Sequence, residues 1–112
     1  MKIEKYAFGR MTVSGSTFTS DVVIFPERIR SPWWREEGHL LQLKDIEDIL
    51  EYRPEALVIG TGYYGQMRVD PEVIEKLRDL NIDYYIQDSR KGMDIYNSLD
   101  TERKVGAFHL TC

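Results

Sequence analysis

The sequence predicts an α/β fold, a three-layer single domain in which helices flank a mixed central β-sheet, with an additional N-terminal β-meander. From Ala56 onward, apolar runs alternate with amphipathic stretches, which is the pattern of parallel strands joined by right-handed helical crossovers. Residues 1–25 are rich in Thr, Val, Phe and Tyr and are broken by turn residues, as in a small antiparallel meander. A length of 112 residues fits one domain over residues 1–112.

The N-terminal part is predicted to contain the meander, a buried strand and a long loop. Turn residues at Gly9-Arg10 and Ser14-Gly15-Ser16 divide the meander. The continuous apolar run Asp21–Phe25, which Pro26 stops, indicates a strand that is covered on both faces and is therefore central in the sheet. Residues 26–38 have neither helical nor strand periodicity and are predicted to form a long loop.

The middle of the chain is predicted to hold a short strand, a helix and a buried strand. Gly38–Leu41 favours the short strand, and Arg53-Pro54 ends the helix that follows. The apolar residues of that helix share one face: Leu43, Ile46, Ile49 and Leu50. Ala56–Ile59 then forms a buried strand before a glycine-rich segment.

The next helix has the clearest boundaries in the sequence. Asp70 is predicted as its N-cap, Pro71 as its first residue and Asn81 as a left-handed residue at its end. Its inner face consists of four apolar side chains: Val73, Ile74, Leu77 and Leu80. Three more elements complete the chain, namely a strand at Ile82–Ile86, a helix from Asp88 or Ser89 through Leu99, and a strand at Val105–Leu110.

Composition disfavours several classes of partner. Lys and Arg total 15 against 19 Asp and Glu, so the net charge of −4 provides no broad positive field for nucleic acid. No apolar stretch is long enough to cross a membrane, and the start of the sequence lacks the apolar core of a signal peptide. The single cysteine, Cys112, excludes an intrachain disulfide and favours a reducing compartment, so a cytoplasmic location is expected.

The segment Gly60–Gly65 spells G-x-G-x-x-G after a buried strand, the pattern of dinucleotide-binding loops. The next helix starts at Asp70-Pro71, too late for a pyrophosphate to sit on its N-terminus, and Asp70 would repel a phosphate there. Two readings remain: the glycines form a tight strand exit, or they help to hold an anion or small ligand. The candidate ligand-binding residues lie where two strands end: Gly60, Thr61, Gly62, Arg68, Asp88 and Ser89.

Two adjacent tryptophans in the long loop form a second candidate site. Trp33 and Trp34, followed by Arg35, suit the aromatic and arginine anchors of a protein interface. One ring is expected to pack beneath the loop. The other either contacts a partner or covers the domain itself through a cation–π contact.

Direct signals for catalysis or metal binding are weak. His39 and His109 are the only histidines, and each is expected to be a hydrogen-bonded structural residue. In a strand, His109 and Cys112 would point to opposite faces, which prevents a shared metal ion or a nucleophile pair. No cofactor, metal site or catalytic residue is therefore predicted.

Several short motifs, in this order and spacing, resemble a small family of Mth-type domains that includes adipogenesis-associated proteins and a mitochondrial complex I assembly factor. The motifs are Tyr6, Phe8-Gly9, Asp21–Ile24 with Pro26, Trp34, Gly38-His39, Gly60-Thr61-Gly62, Tyr96-Asn97 and His109–Cys112. The resemblance implies a mixed sheet between helices with a small N-terminal sheet, no established activity or required cofactor, and association with assembly or regulation through protein contacts. Because no Arg- and Ser-rich presequence precedes the domain, a prokaryotic or cytosolic stand-alone version is expected.

The leading hypothesis is a non-enzymatic interaction or assembly module whose protein partner is unknown. The alternative is a small-ligand or anion-binding domain that uses Gly60–Gly62. A third reading is an enzyme of unrecognised mechanism, which predicts strongly perturbed titratable groups near Asp88, Arg68 or His39. The short chain and its exposed aromatic residues favour a homodimer.

Overall fold

The computed structural model describes all 112 residues as three β-sheets and three α-helices. The strands are β1 (Ile3–Ala7), β2 (Arg10–Val13), β3 (Ser16–Phe18), β4 (Val22–Ile24), β5 (Ile29–Arg30), β6 (Leu40–Leu41), β7 (Ala56–Thr61), β8 (Arg68–Val69), β9 (Asp83–Gln87) and β10 (Lys104–His109). The helices are α1 (Glu47–Tyr52), which continues a 3₁₀ turn at Leu43–Ile46, α2 (Pro71–Asp79) and α3 (Ser89–Ser98). None of the helices has the length and apolar character that crossing a bilayer requires.

The central sheet is mixed, with the strand order β5-β4-β10-β7-β9. β10, β7 and β9 run parallel, whereas β4 is antiparallel to both β10 and β5. The parallel part is built from strand–helix–strand units, as the alternating sequence pattern predicted. The fold class predicted from the sequence is confirmed, including the mixed sheet and the antiparallel N-terminal meander β1-β2-β3.

Apolar side chains cover both faces of the central sheet, which gives the domain three layers. Val23 of β4 belongs to one buried cluster, together with Ile49 of α1 and Leu77 of α2. The opposite cluster contains Tyr96 of α3 and Met11 of the meander. Side chains on the two sides of each central strand therefore pack into two separate cores.

The meander is hydrogen-bonded to α3, the helix that lies on the same side of the central sheet. The side-chain amide of Asn97 accepts a hydrogen bond from the backbone N–H of Ile3 at 3.0 Å and donates one to the Ile3 carbonyl at 2.8 Å. A second attachment is formed by Gly9, whose N–H donates to the carbonyl of Leu110 at 2.8 Å. These contacts satisfy backbone groups at the edge of β1 and fix the meander over α3.

Local signals in the sequence set several of the element ends. Asp70 caps α2 by accepting from the N–H of Glu72, and Asn81 has a left-handed φ of 56° after it. Asp88, rather than Ser89, caps α3 by accepting from the N–H of Lys91. α1 ends at Tyr52, and the next residue, Arg53, has a left-handed φ of 57° before Pro54.

Two expectations about strands were wrong, those for residues 26–38 and for the end of β7. The predicted loop at residues 26–38 contains β5, because the chain reverses after Phe25 and returns alongside β4. β6 forms as expected but pairs with β8 in a separate two-stranded parallel sheet. β7 extends past Ile59 through Gly60 and Thr61, since both residues keep their pairing with β10.

Candidate functional site

The two tryptophans occupy opposite environments. Trp33 is buried, and its Nε1 donates a hydrogen bond to the carbonyl of Asp45 at 3.0 Å. Its backbone N–H donates to the carbonyl of Asp21 at 2.8 Å, at the start of β4. Trp34 is 75% exposed. Of the two rings, only that of Trp34 is thus available to a partner.

Arg35 is buried beneath the same loop. Only 8% of the residue is exposed, and its guanidinium carbon lies 4.6 Å from the centre of the Trp33 ring. Nη2 donates to Oδ2 of Asp21 at 2.9 Å and to the carbonyl of Gly38 at 3.0 Å. Arg35 therefore attaches the loop to the domain. Of the three predicted interface residues, Trp33 and Arg35 are buried and hold the backbone on which Trp34 is exposed.

Asp21 is the hub of a polar network that the sequence did not single out. Its Oδ1 accepts the N–H of Leu110 at 2.7 Å, and its Oδ2 lies 2.8 Å from Nδ1 of His109. Burial alone would raise the pKa of Asp21, but hydrogen bonds from His109 and Leu110, with the charges of His109 and Arg35, hold that pKa below its usual value. An aspartate that opens a buried apolar run was the available signal.

The two histidines, for which a structural role was predicted, lie side by side. His109 is buried and bonds to Asp21, as expected for a structural histidine, whereas His39 is exposed. Their ring centres are 5.8 Å apart in an edge-to-face arrangement. Nη2 of Arg35 lies 3.1 Å from Nδ1 of His109. Because a guanidinium only donates, and Nδ1 gives its proton to Asp21, this contact is a close approach between two donors.

The glycines of the Gly60–Gly65 segment have different roles. A Cβ on Gly60 would lie 2.4 Å from Cδ1 of Phe108 and 2.7 Å from Oγ of Ser89, so close packing inside β7 requires glycine there. Gly62 has a φ of +110°, and a Cβ there would lie 2.6 Å from the backbone carbon of Cys112. The tight exit from the strand is consequently at Gly62.

Ser89 connects three elements at this end of the sheet. Its buried Oγ accepts from the N–H of Gly62 at 2.9 Å and donates to the carbonyl of His109 at 2.6 Å. Thr61 donates its hydroxyl to the carbonyl of Gln87 at 3.1 Å. The N–H of Gly62 and both side chains are thus engaged in internal hydrogen bonds.

Five of the six predicted ligand-binding residues converge where β7 and β9 end. These are Gly60, Thr61, Gly62, Asp88 and Ser89. The sixth, Arg68, is exposed on β8 in the small separate sheet, and its backbone N–H donates to the carbonyl of His39. Ligand binding by this set stays a prediction.

Phe8, Tyr63 and Tyr64 form an aromatic group at the surface that was not predicted from the sequence. Phe8 is 50% and Tyr64 67% exposed. The ring centre of Tyr63 lies 5.8 Å from that of Phe8 and 5.1 Å from that of Tyr64. The adjacent tyrosines of the Gly60–Gly65 segment suggested a surface contact, but no pattern in the sequence indicates that Phe8, in the turn between β1 and β2, lies beside them.

The model of a family described as protein of unknown function (DUF498/DUF598) matches residues 3–110. The chain belongs to this family. A conserved hypothetical protein from Pyrococcus horikoshii OT3 is 27% identical with a TM-score of 0.84, and the match covers 100% of both chains. A protein named MT938 is 22% identical with a TM-score of 0.80, covering 99% of this chain and 98% of its own.

A third solved structure is also similar to this chain. It is a Mth938-like domain of Bordetella pertussis, 17% identical with a TM-score of 0.61, and the match covers 97% of this chain and 85% of that one. At that identity the likeness concerns the fold. The DUF498/DUF598 match thus shows the family, and the resemblance to Mth-type domains agrees in fold with the Mth938-like neighbour.

Proposed function

We propose that this DUF498/DUF598 member is a protein-interaction module that binds its partner through Trp34. The observation that carries the proposal is an indole 75% exposed between two buried neighbours, Trp33 and Arg35. Because both neighbours are hydrogen-bonded to the domain, the backbone that presents Trp34 is already ordered. Binding then costs little ordering entropy, and tryptophan is among the commonest energetic anchors of interfaces.

The surroundings of Trp34 support a protein partner. The indole borders a shallow groove lined by charged side chains of both signs: Arg30, Glu36, Lys44, Asp45, Glu47 and Asp48. Arg30 pairs with Asp48 at 2.7 Å, and Lys44 pairs with Glu36. An apolar anchor inside a polar rim is the usual arrangement of a protein interface. The partner expected from it is a folded protein with an apolar pocket that receives the indole.

The wider resemblance favours the same class of function. The resemblance to Mth-type domains implies an association with assembly or regulation through protein contacts, and such a role is part of the present proposal. A cytoplasmic location is also part of it, supported by the one free thiol, Cys112, which suits a reducing compartment.

The proposal is tested by comparing tagged wild-type protein with Trp34→Ala and with Tyr64→Ala, a matched control at another exposed aromatic residue. Each protein is incubated with an extract of the source cells, and the retained proteins are identified. We expect one protein to be retained by wild type and by Tyr64→Ala but at least tenfold less by Trp34→Ala. A loss of about 2 kcal/mol, typical of an anchor, corresponds to roughly thirtyfold in affinity.

Direct binding of that purified protein provides the second readout. Trp34 is the exposed one of only two tryptophans, so its emission should shift to shorter wavelength and its quenching by acrylamide should fall on binding. Equal retention by wild type and Trp34→Ala, or unchanged quenching in the complex, would contradict the proposal. Circular dichroism should confirm that all three proteins are folded alike.

A further inference from the structure

The two edges of the central sheet differ in their protection. β5 forms one edge with two residues, lies between Pro26 and Pro32, and has Arg30 paired with Asp48. Short edges with proline and charge are the usual means by which proteins prevent strand-to-strand association. β9 forms the other edge with five residues, Asp-Tyr-Tyr-Ile-Gln, and contains neither proline nor lysine. It therefore lacks the short length and the flanking prolines that protect β5.

The backbone of β9 offers unpaired hydrogen-bonding groups on its outer side. The N–H of Asp83 donates to the carbonyl of Glu55 at 3.0 Å, which points the bonding groups of this residue toward β7. Since successive residues of a strand direct these groups to alternate sides, those of Tyr84 and Ile86 point away from β7. β7 is the only strand that pairs with β9 within the chain. The outward groups are thus free to pair with another strand.

The side chains of β9 are incompletely covered on both faces of the sheet. Tyr84 and Ile86 pack against the cluster beneath α1 and α2, and Tyr85 packs against the cluster beneath α3. All three remain only half-buried, whereas every residue of the neighbouring β7 is buried. One added strand would cover both faces at once.

We propose that β9 pairs in antiparallel fashion with β9 of a second copy of this chain, about a two-fold axis at Tyr85. The two five-stranded sheets then become one continuous sheet. In this register Tyr84 exchanges backbone hydrogen bonds with Ile86 of the second copy. Tyr85 faces its own counterpart in a non-hydrogen-bonded pair.

The strand is complementary to itself in this arrangement. Asp83 at its start lies opposite Gln87 of the second copy, so no two carboxylates face each other. Exposed Arg78 donates from Nε to the hydroxyl of Tyr84 at 3.0 Å, near the start of β9. In the proposed register, the end of the second copy's β9, which Asp88 follows, lies near this start. A two-fold pairing of identical edges also closes the assembly and leaves no free β9.

This surface is independent of the one proposed for protein binding. The Trp33–Arg35 segment attaches at the start of β4, beside the opposite edge of the sheet. Pairing through β9 would leave Trp34 exposed in both copies. Loss of dimerisation and loss of partner binding can therefore be observed separately.

Cysteine cross-linking tests the register. In a Cys112→Ser background, Tyr85→Cys places two thiols across the axis, where Cα atoms of a non-hydrogen-bonded pair lie about 4.5 Å apart and a disulfide can form. Gln87→Cys is the matched control on the same strand, because its counterpart would lie on the order of 13 Å away. We expect mild oxidation to link Tyr85→Cys at least tenfold faster. Equal linking at the two positions would overturn the register.

Solution mass tests the association itself. Light scattering of the wild-type protein should rise toward twice the monomer mass with increasing concentration. Ile86→Pro removes an outward N–H and leaves the hydrogen bonds to β7 in place, so dimerisation should weaken at least tenfold. If Ile86→Pro does not fold, Tyr85→Lys, which sets like charges across the axis, should give the same loss. A wild-type monomer at every concentration, or dimers unaffected by the folded variant, would overturn the proposal.

Discussion

The position of the loop that exposes Trp34 depends on Asp21. Its carboxylate receives hydrogen bonds from parts of the chain far apart in sequence, the loop at Arg35 and the end of β10 at His109 and Leu110. A buried ion pair by itself is weak evidence of stability, because desolvation offsets the attraction between the charges. Here the backbone donor and the imidazole add directional bonds, so the network defines the position of the loop as well as contributing to stability.

The lowered pKa of Asp21 predicts a stability that depends on pH. Because this carboxyl binds protons less readily in the folded chain, the unfolded chain takes up a proton first as the solution is acidified. The free energy of unfolding should therefore include the full contribution of Asp21 near neutral pH and lose it progressively as the pH falls below about 5 and through the folded pKa. Asp21→Asn should be less stable by about 2 kcal/mol at pH 7 and should show a shallower decline between pH 5 and pH 2.

Urea titrations at a series of pH values measure this difference. Asp94→Asn is the matched control, since Asp94 is an exposed aspartate on α3 and should leave the decline unchanged. Parallel pH profiles for wild type and Asp21→Asn would contradict the role of Asp21.

At the scale of elements, one side-chain amide joins the meander to the rest of the domain. Asn97 bonds both the N–H and the carbonyl of Ile3, which is the pairing that another strand would give to β1. Asn97→Ala should destabilise the protein by about 1–3 kcal/mol, because two backbone groups lose their partner. It should also accelerate amide hydrogen exchange at Ile3 more than in β7.

A neighbouring serine provides the control for this prediction. Ser98 is exposed at the end of the same helix, and Ser98→Ala should change stability by less than about 0.5 kcal/mol. Hydrogen exchange followed by NMR distinguishes local from global effects. If exchange at Ile3 is unchanged in Asn97→Ala, the amide does not hold the meander.

Helices and parallel strands were predictable because each carries its own local signal. Asp70 and Pro71 mark the start of α2 wherever it packs, and the buried run at Ala56 can only be covered from both faces. The pairing of β6 with β8 was not predictable, since two-residue strands have no measurable periodicity. The extent of β7 was misjudged for a different reason. Gly60 resembles a turn residue, but its function is to make room for Phe108.

The candidate site was predictable only in part. Trp34 could be recognised from residue type and loop position, whereas the burial of Arg35 depends on its contact with Asp21, which lies 14 residues earlier in the chain. Such long-range polar contacts leave no spacing pattern in a single sequence. The same limit explains why the group formed by Phe8 with Tyr63 and Tyr64 was missed.

At the scale of the whole molecule, the central strands link the two cores. In β7, Leu57 and Ile59 face one cluster and Val58 faces the other, and in β10 Ala107 and Phe108 divide in the same way. A strand cannot leave one core without disturbing the other. The domain should therefore unfold as one cooperative unit, although α1 and α2 lie on one face of the sheet and α3 and the meander on the other.

Leu77→Ala tests this cooperativity from one face. Leu77 is fully buried in the cluster beneath α2, so its truncation should cost about 2–5 kcal/mol. The NMR amide signal of Trp33 reports on the same cluster, and that of Met11 reports on the opposite one. Both midpoints in urea should fall by the same amount, with exposed Glu75→Ala as the unshifted control. If Met11 kept the wild-type midpoint while Trp33 did not, the two faces would be separate folding units, and the sheet would not couple them.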